Sequence, residues 1–469
     1  DRDGDVDLFV WGRIIPGQYP LSPNSRLLVN ESGAFSDRTD ELTDTLKLSG
    51  LITSALWSDV DGDGWLDLLV TTEWGPVRIW KNLEGRLTEM TAAAGLESRT
   101  GWWNSIVGGD LDLDGDIDYV VGNFGLNTKY KASPESPSVL YYGDFFDDGG
   151  MRLVEAVKEK DIFYPVRGRE CTLDAMPSLT NRFLNYDTFA KATLAEIYSP
   201  EHLEDAWRFE INTLESCVLI NDGRGRFDVE PLPLLAQVAP VFGMALADVD
   251  GDGWLDLYLA QNFFQPQFET GQMDGGVSLL LRGGSEDGRP KFSTIWPHVS
   301  GLIVPGDGAA LTSADLNLDG WPDFVIGLND TRLGAFENRG QKTWRSLSVR
   351  LKGPKGNPSA IGARARLRLE SGLTLTREVY AGGGYLSQSS PALSFGIGLA
   401  EKATELRVLW PDGRETSLPE PVFGAPIEVA HEAAVEFSPP EPLSPEALKE
   451  AAGVRSNYVG ELVLAARQR

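Results

Sequence analysis

Histidine and cysteine are nearly missing from this chain: its 469 residues include 3 His and 2 Cys. So few imidazoles and thiols exclude a His-rich metal centre and leave a His-dependent catalytic site few candidates. Cys171 and Cys217 either pair in an oxidising compartment or remain two buried thiols, and a count of two does not separate these cases. Basic charge is scarce as well. The chain has 42 Lys+Arg against 69 Asp+Glu, a net charge of −27. That balance argues against nucleic acid or an anionic membrane surface as the main partner, since both need basic patches. No run approaches the roughly 18 apolar residues of a membrane helix, so a direct membrane span is not expected. What is present is an ordinary globular composition, 42% hydrophobic and 24% charged. The length suits two to four domains, or one large repeat array with additions.

The acidic residues are not scattered. Residues 59–67 (DVDGDGWLD), 110–118 (DLDLDGDID), 248–256 (DVDGDGWLD) and 315–323 (DLNLDGWPD) share one pattern, with oxygen-bearing side chains at relative positions 1, 3, 5 and 9 and Gly near the middle. Ca²⁺ is a hard cation that takes six to eight oxygens, and alternating carboxylates on a tight, Gly-containing loop can converge on it. The expected side-chain ligands are Asp59, Asp61, Asp63 and Asp67; Asp110, Asp112, Asp114 and Asp118; Asp248, Asp250, Asp252 and Asp256; and Asp315, Asn317, Asp319 and Asp323. Backbone carbonyls would come from Trp65, Asp116, Trp254 and Trp321. The chain start, DRDGDVDLFV, aligns on residues 112–121 and forms a fifth copy that lacks its first ligand. It keeps Asp1, Asp3 and Asp7, with the carbonyl of Asp5. Because the chain begins inside a loop, upstream residues are expected. Without a cation such loops suffer mutual repulsion, so about four to five Ca²⁺ ions are expected, acting as structural staples.

An EF-hand begins similarly but needs a Glu at loop position 12 and flanking helices. The corresponding residues here are Val70, Val121, Leu259 and Ile326, all apolar and within short runs that read as β-strands. A loop between two strands is what remains. Downstream segments at 27–39, 79–96 and 218–233 each show an apolar strand, an Asn-containing Gly turn and a second short strand, which is hairpin chemistry. The first intact loops begin 110 − 59 = 51 residues apart, about one four-stranded propeller blade, and residues 1–345 at about 50 per blade give close to seven. The 138 residues between positions 110 and 248 contain a degenerate loop at 143–150 (GDFFDDGG) and a stretch of helical composition at 173–198. The latter reads as an insertion on the β-scaffold, over about 172–206.

Beyond the propeller, residues 357–372 (NPSAIGARARLRLESG), 377–398 (REVYAGGGYLSQSSPALSFGIG) and 405–418 (ELRVLWPDGRETSL) are again β-rich and suggest a small sandwich. With the loops, the hairpins and these three segments, the chain resembles the FG-GAP/VCBS-repeat β-propeller proteins that end in an ASPIC/UnbV domain. The cartilage acidic proteins are the animal relatives of that architecture. The segments YPVRGREC (164–171) and LPLLAQVAP (232–240) look like a bacterial branch. The resemblance implies an all-β protein with an integrin-α-like propeller, Ca²⁺ in its blade loops, and an extracellular, cell-surface or periplasmic setting. The expected division is a propeller over 1–343, an ASPIC/UnbV-like domain over 344–432, and a Pro-rich linker and tail over 433–469 with a capped helix opening at Ser444.

The first functional reading is a binding or adhesion scaffold for a protein or glycan, or a subunit of a surface assembly that docks through the tail. Aromatic residues on the inter-blade face would supply binding area, with Trp102, Trp103 and Tyr385 as contact candidates. The second is an extracellular lyase or hydrolase acting on polysaccharide. Its candidates are Tyr164, Arg167, Arg169 and Glu170 beside the insertion, with no catalytic residue assigned. No phosphate-binding Gly loop, nucleophile elbow or CxxC pair is present.

Overall fold

A computed structural model describes residues 1–266, 270–340, 346–398, 402–423 and 426–434. Trp344, at the expected domain boundary, and the tail from 435 onward, including the helix expected at Ser444, lie outside the described residues. The chain is built mainly of short antiparallel sheets. The first contains β1 (Leu8–Val10), β2 (Arg26–Glu31) and β3 (Ala34–Asp37). The second contains β4 (Leu51–Ser58), β5 (Asp67–Pro76), β6 (Arg78–Leu83) and β7 (Arg86–Glu89), with β8 (Thr100–Trp102) added to β5. The third opens with β9 (Ser105–Gly109) and β10 (Asp118–Gly122). An inserted sheet follows: β11 (Ser138–Gly143), β12 (Arg152–Glu159), β13 (Ile162–Pro165) and β14 (Trp207–Ile211). The third sheet then resumes with β15 (Cys217–Asn221), which pairs directly with β10, and β16 (Phe227–Pro231). The fourth contains β17 (Val241–Ala247), β18 (Asp256–Gln261) and β19 (Leu279–Arg282). After a small hairpin of β20 (Ser285–Glu286) and β21 (Arg289–Pro290), it ends with β22 (Ser293–Ile295). The fifth contains β23 (Gly308–Ala314), β24 (Asp323–Leu328) and β25 (Gly334–Phe336).

Strands β5, β10 and β18 are buried on both faces for most of their length. Their near-continuous Leu, Val and Tyr content follows from neighbouring sheets stacking on either side, where a one-faced sheet would alternate. The first strands β4, β9, β17 and β23 lie side by side in that order. Each acidic loop from 59 onward joins one of them to the second strand of its sheet. Five sheets of this type occur among the described residues. Residues 123–216 loop out between β10 and β15, so they account for the wide spacing between the loops at 110 and 248. Division by blade length counts that stretch as further blades, whereas β11–β14 form a sheet inserted between β10 and β15.

The stretch at 173–198 does not form one helix. It breaks into Arg169–Ala175, a 3₁₀ turn at Pro177–Asn181, Tyr186–Ala190 and Leu194–Tyr198, followed by Pro200–Asp205. Capping explains the breaks: Asn185 accepts from the N–H of Thr188, Thr193 and Glu196 form a reciprocal capping box, and Pro200 restarts the chain after Ser199. The apolar positions still share a face. Leu173, Phe183, Phe189, Leu194 and Ile197 pack on Val139 and Val154 of the inserted sheet. The GDFFDDGG loop is the β11–β12 hairpin turn, where Asp144 accepts three backbone N–H groups and Asp148 pairs with Arg152. Cys171, on the first of these helices, and Cys217, on β15, are both thiols. Burial pushes the Cys217 thiol up to about 12.

Residues 346–434 make two facing sheets. One contains β26 (Ser346–Lys352), β30 (Leu393–Gly396) and β33 (Ile427–Ala430). The other contains β27 (Arg364–Leu369), β28 (Thr374–Glu378), β31 (Ala403–Leu409) and β32 (Glu415–Pro419). Their inner faces close over Leu347, Phe395, Leu367, Leu406 and Trp410. Between β28 and β30 a strap leaves this sandwich and runs onto the array of five sheets. It begins as β29 (Ala381–Gly382), which pairs with Trp57 and Leu56 of β4. Gly383 and Gly384 donate to the carbonyls of Ala55 (2.6 Å) and Ile106 (2.9 Å), and Ser390 donates to Ser313 on β23 (2.9 Å). The strap therefore bridges the first and last of the four side-by-side strands. The GGG run is required here. Gly382 has φ +87°, and a Cβ on it would stand 2.3 Å from the Ala55 carbonyl oxygen. Among the described residues, no helix is long and apolar enough to cross a membrane.

Candidate functional site

The acidic loops repeat one hydrogen-bonding scheme. In every copy the carboxylate at relative position 5 accepts the N–H of position 7: Asp63 from Trp65, Asp114 from Asp116, Asp252 from Trp254, Asp319 from Trp321, and Asp3 from Asp5 at the chain start, at 2.8–3.1 Å. The loop is thus curled around its own carboxylates. Among the described residues, three loops gather carboxylate oxygens within 4.8 Å of one another: Asp59, Asp61 and Asp67; Asp110, Asp112 and Asp114; Asp248, Asp250 and Asp256. Both oxygens of Asp110 and one each of Asp59, Asp61 and Asp116 are buried without a hydrogen bond. Buried acceptors left open in an acidic cluster, with no sulfur or imidazole nearby, fit a hard divalent cation. Cationic side chains already answer part of this charge. Lys81 meets Asp61 and Asp63, and Arg282 meets Asp250 (2.7 Å) and Asp252 (2.8 Å). Loop 315–323 is looser, with Asn317 donating to Asp319 and Asp315 accepting from Asp319 and Gly320.

The ninth residue has a second role that the ligand pattern did not reveal. Asp67 accepts from Val60 at the loop start and from Asn82 on the third strand. Asp118 does the same with Leu111 and Asn221, Asp323 with Leu316 and Asn338, and Asp256 with Val249 and Gly283. Each Asn then reaches back. The Asn221 amide donates to Ile117 and, across to the neighbouring sheet's loop, to Val60 (2.7 Å), and Asn338 donates to Val249 (2.9 Å). The Asn of the hairpin turns was the available signal, and it is a clamp as well as a turn residue. Replacing Asn221 by Ala leaves two buried carbonyls unpaired and is expected to cost about 2–3 kcal/mol. The same change at half-buried Asn30 should cost under about 1 kcal/mol, and urea unfolding of both variants checks the contrast.

Burial and neighbouring carboxylates raise these acids in the metal-free protein. Asp118 and Asp256 are pushed up to about 8, Asp67 and Asp116 to about 7, and Asp110 and Asp248 to about 6, burial being the largest cause throughout. The sandwich leans on the same loops through buried arginines. Arg364 bonds Glu378 (2.9 Å) and the Asp59 carbonyl (2.8 Å), and its guanidinium stands 3.8 Å from the Asp59 carboxylate. Arg377 donates to the Gly253 carbonyl (3.2 Å), and its charge lies within the influence of Asp110 and Asp248.

A separate cavity of about 430 Å³ opens where β5, β8 and the inserted sheet meet the strap. Its aromatic wall is locked edge-to-face. Trp102 sits 5.0 Å from Trp74, 4.7 Å from Phe124 and 4.8 Å from Tyr130, and Phe242 contacts Phe263 and Tyr385. Two matching polar sets face it. Arg13 bonds Glu73 (2.7 Å), which also accepts from Tyr19 (2.7 Å); Arg167 bonds Glu155 (2.8 Å), which accepts from Tyr130 (3.3 Å). Burial first, then the adjacent carboxylate, raises both phenols well above their ordinary range, so each stays a donor.

Of the contact candidates named from sequence, Trp102, Arg167 and Tyr385 come together in this cavity. Trp103 does not; it is buried in the core beside Ile106 and Leu219. Tyr164 lies on β13, and Arg169 and Glu170 open the first inserted helix, where Glu170 meets Tyr186. None of the three lines the cavity. Sequence reasoning missed Arg13, Tyr19, Glu73 and Glu155, which are single polar residues in unrelated segments and carry no local pattern.

Comparison with known proteins gives matches at both ends of the chain. Residues 1–70 and 59–121 match the FG-GAP-like repeat, and residues 353–436 match the ASPIC and UnbV family. Human cartilage acidic protein 1 is 26% identical over 201 residues, which is 42% of this chain and 28% of that protein, so the match spans under a third of the relative's length. The crystal structure of the V. cholerae biofilm matrix protein Bap1 aligns over 89% of this chain and 69% of its own, at 12% identity and a TM-score of 0.26.

Proposed function

We propose that this FG-GAP-repeat protein with a C-terminal ASPIC and UnbV domain is a calcium-stabilised binding scaffold working outside the cytoplasm, at the cell surface, in the periplasm or in an extracellular assembly. The observation that carries the reading is the joint construction of the cavity: the propeller-type sheets supply its walls and the strap of the C-terminal domain supplies Tyr385 and Leu386. A rigid aromatic surface flanked by fixed polar groups is the anatomy of a recognition site. Oxygen-only loops suit the millimolar Ca²⁺ found outside cells, which supports the setting. The partner in this reading is a protein or glycan, and the tail over 433–469 is an arm toward an assembly.

The test is affinity capture from the native cell surface, with the calcium-loaded chain immobilised, beside an assay for polysaccharide cleavage. A stoichiometric partner with no turnover is the expected result. Release of unsaturated or reducing ends would replace the scaffold by the alternative, a lyase or hydrolase.

A further inference from the structure

We infer that the composite cavity is a saccharide subsite, shaped for a neutral hexose-type ring. This rests on the binding-scaffold reading and gives its ligand a chemical class.

The shape comes first. At about 430 Å³ the cavity lies in the range of small-molecule sites. Trp102 is packed edge-to-face on Trp74, Phe124 and Tyr130, and Trp74 and Trp102 are each only 8% exposed, so they cannot swing away to admit a wide side chain or helix. A fixed aromatic wall favours a compact, rigid partner with C–H groups to lay against it. A pyranose is such a partner.

The polar groups select further. Glu73 is held on one oxygen by Arg13 and on the other by Tyr19; Glu155 meets Arg167 on one oxygen, and Tyr130 donates across both. A carboxylate beside a guanidinium offers an acceptor and a donor side by side, and a vicinal diol presents the same pair in reverse. The site has two such sets, and they cancel: Arg13 and Arg167 against Glu73 and Glu155. An anionic sugar would meet the two carboxylates, and a cationic ligand the two guanidiniums. The chain's charge of −27 repels polyanionic glycans before they arrive. A neutral polyol meets neither penalty. Leu386, 85% exposed at the rim beside Tyr385, offers an apolar shoulder over which a glycan chain can leave the cavity.

The experiment titrates the calcium-loaded full chain with glucose, galactose and mannose and with their neutral trisaccharides. Trigalacturonate and choline are the charged comparators. Tryptophan emission, which Trp74 and Trp102 report from the wall, and calorimetry provide the readout. At least one neutral sugar is expected to bind with a change in emission. Arg13→Ala and Glu155→Gln, both at partly exposed positions, are expected to weaken it about tenfold or more with an unchanged melting temperature. A trisaccharide that binds more tightly than its monomer identifies a glycan chain as the source, and equal affinities identify a free sugar. No neutral binder, preference for trigalacturonate or choline, or binding unaffected by both variants would overturn the inference. A captured surface protein that persists in both variants, with no sugar binding, would remove the saccharide subsite and leave the scaffold standing. Sugar binding without any captured protein would support the subsite.

Discussion

Removal of divalent cations at pH 8 is expected to lower the melting temperature by about 10 °C, and by much less at pH 5. The magnitude follows from mass action. A ligand bound only by the folded chain contributes about 2.7 kcal/mol per site at a hundredfold excess over Kd, and the structure gathers carboxylates tightly in three loops. At roughly 1 kcal/mol per degree for a chain of this size, the loss corresponds to about that shift. The pH dependence follows from proton linkage. In the metal-free fold Asp67, Asp116, Asp118 and Asp256 are raised to about 7–8 and Asp110 and Asp248 to about 6. The folded state therefore holds more protons than the unfolded chain from the ordinary carboxylate range up to about pH 8. These groups contribute stability that is fully present below their unfolded pKa and is lost as pH rises through the folded values. Ca²⁺ needs the deprotonated form, so its contribution grows over the same interval. Scanning calorimetry of loaded and chelated protein at pH 5, 6.5 and 8 should show the two curves separating upward. Parallel curves would contradict structural calcium in these loops.

The second large effect is expected at Arg377. Its guanidinium is buried at the joint, donates to the carbonyls of Thr376, Ser394 and Gly253, and lies 5.5 Å over the Phe395 ring. Removing a buried charge that faces carboxylates strands its partners, and such losses run to about 3–5 kcal/mol. Arg377→Ala should therefore cost about that much in urea unfolding. Arg377→Lys should recover only part of it, because an ammonium cannot reproduce the planar set of bonds. The strap leaves the sandwich just beyond Glu378, so Arg377→Ala should also expose the C-terminal domain to limited proteolysis earlier than the repeat part. A cost under about 1 kcal/mol would mean that the joint is held by packing alone.

How much of this was legible beforehand depends on the range of the signal. The acidic loops, the strands behind them and the Asn–Gly turns are local patterns of nine to eighteen residues, and the repeat makes them readable. The C-terminal segments carried their own motif. The inserted sheet is not legible in the sequence because β10 and β15 are direct neighbours separated by residues 123–216, and nothing local in either strand marks that pairing. The cavity was half legible for the same reason. Trp102 and Tyr385 stand out as aromatic residues next to conspicuous motifs. Glu73, Glu155 and Arg13 become functional candidates only when the fold brings β5, β12 and the segment after β1 to one place. The double role of the ninth Asp was hidden because ligation and hydrogen bonding ask for the same residue type.

The most direct test of the account is elemental analysis of protein desalted from calcium-containing buffer. Three or more calcium ions per chain are expected, falling by at least one in Asp110→Ala. A chain that folds and melts normally while carrying no metal, or that retains only a transition metal, would contradict it.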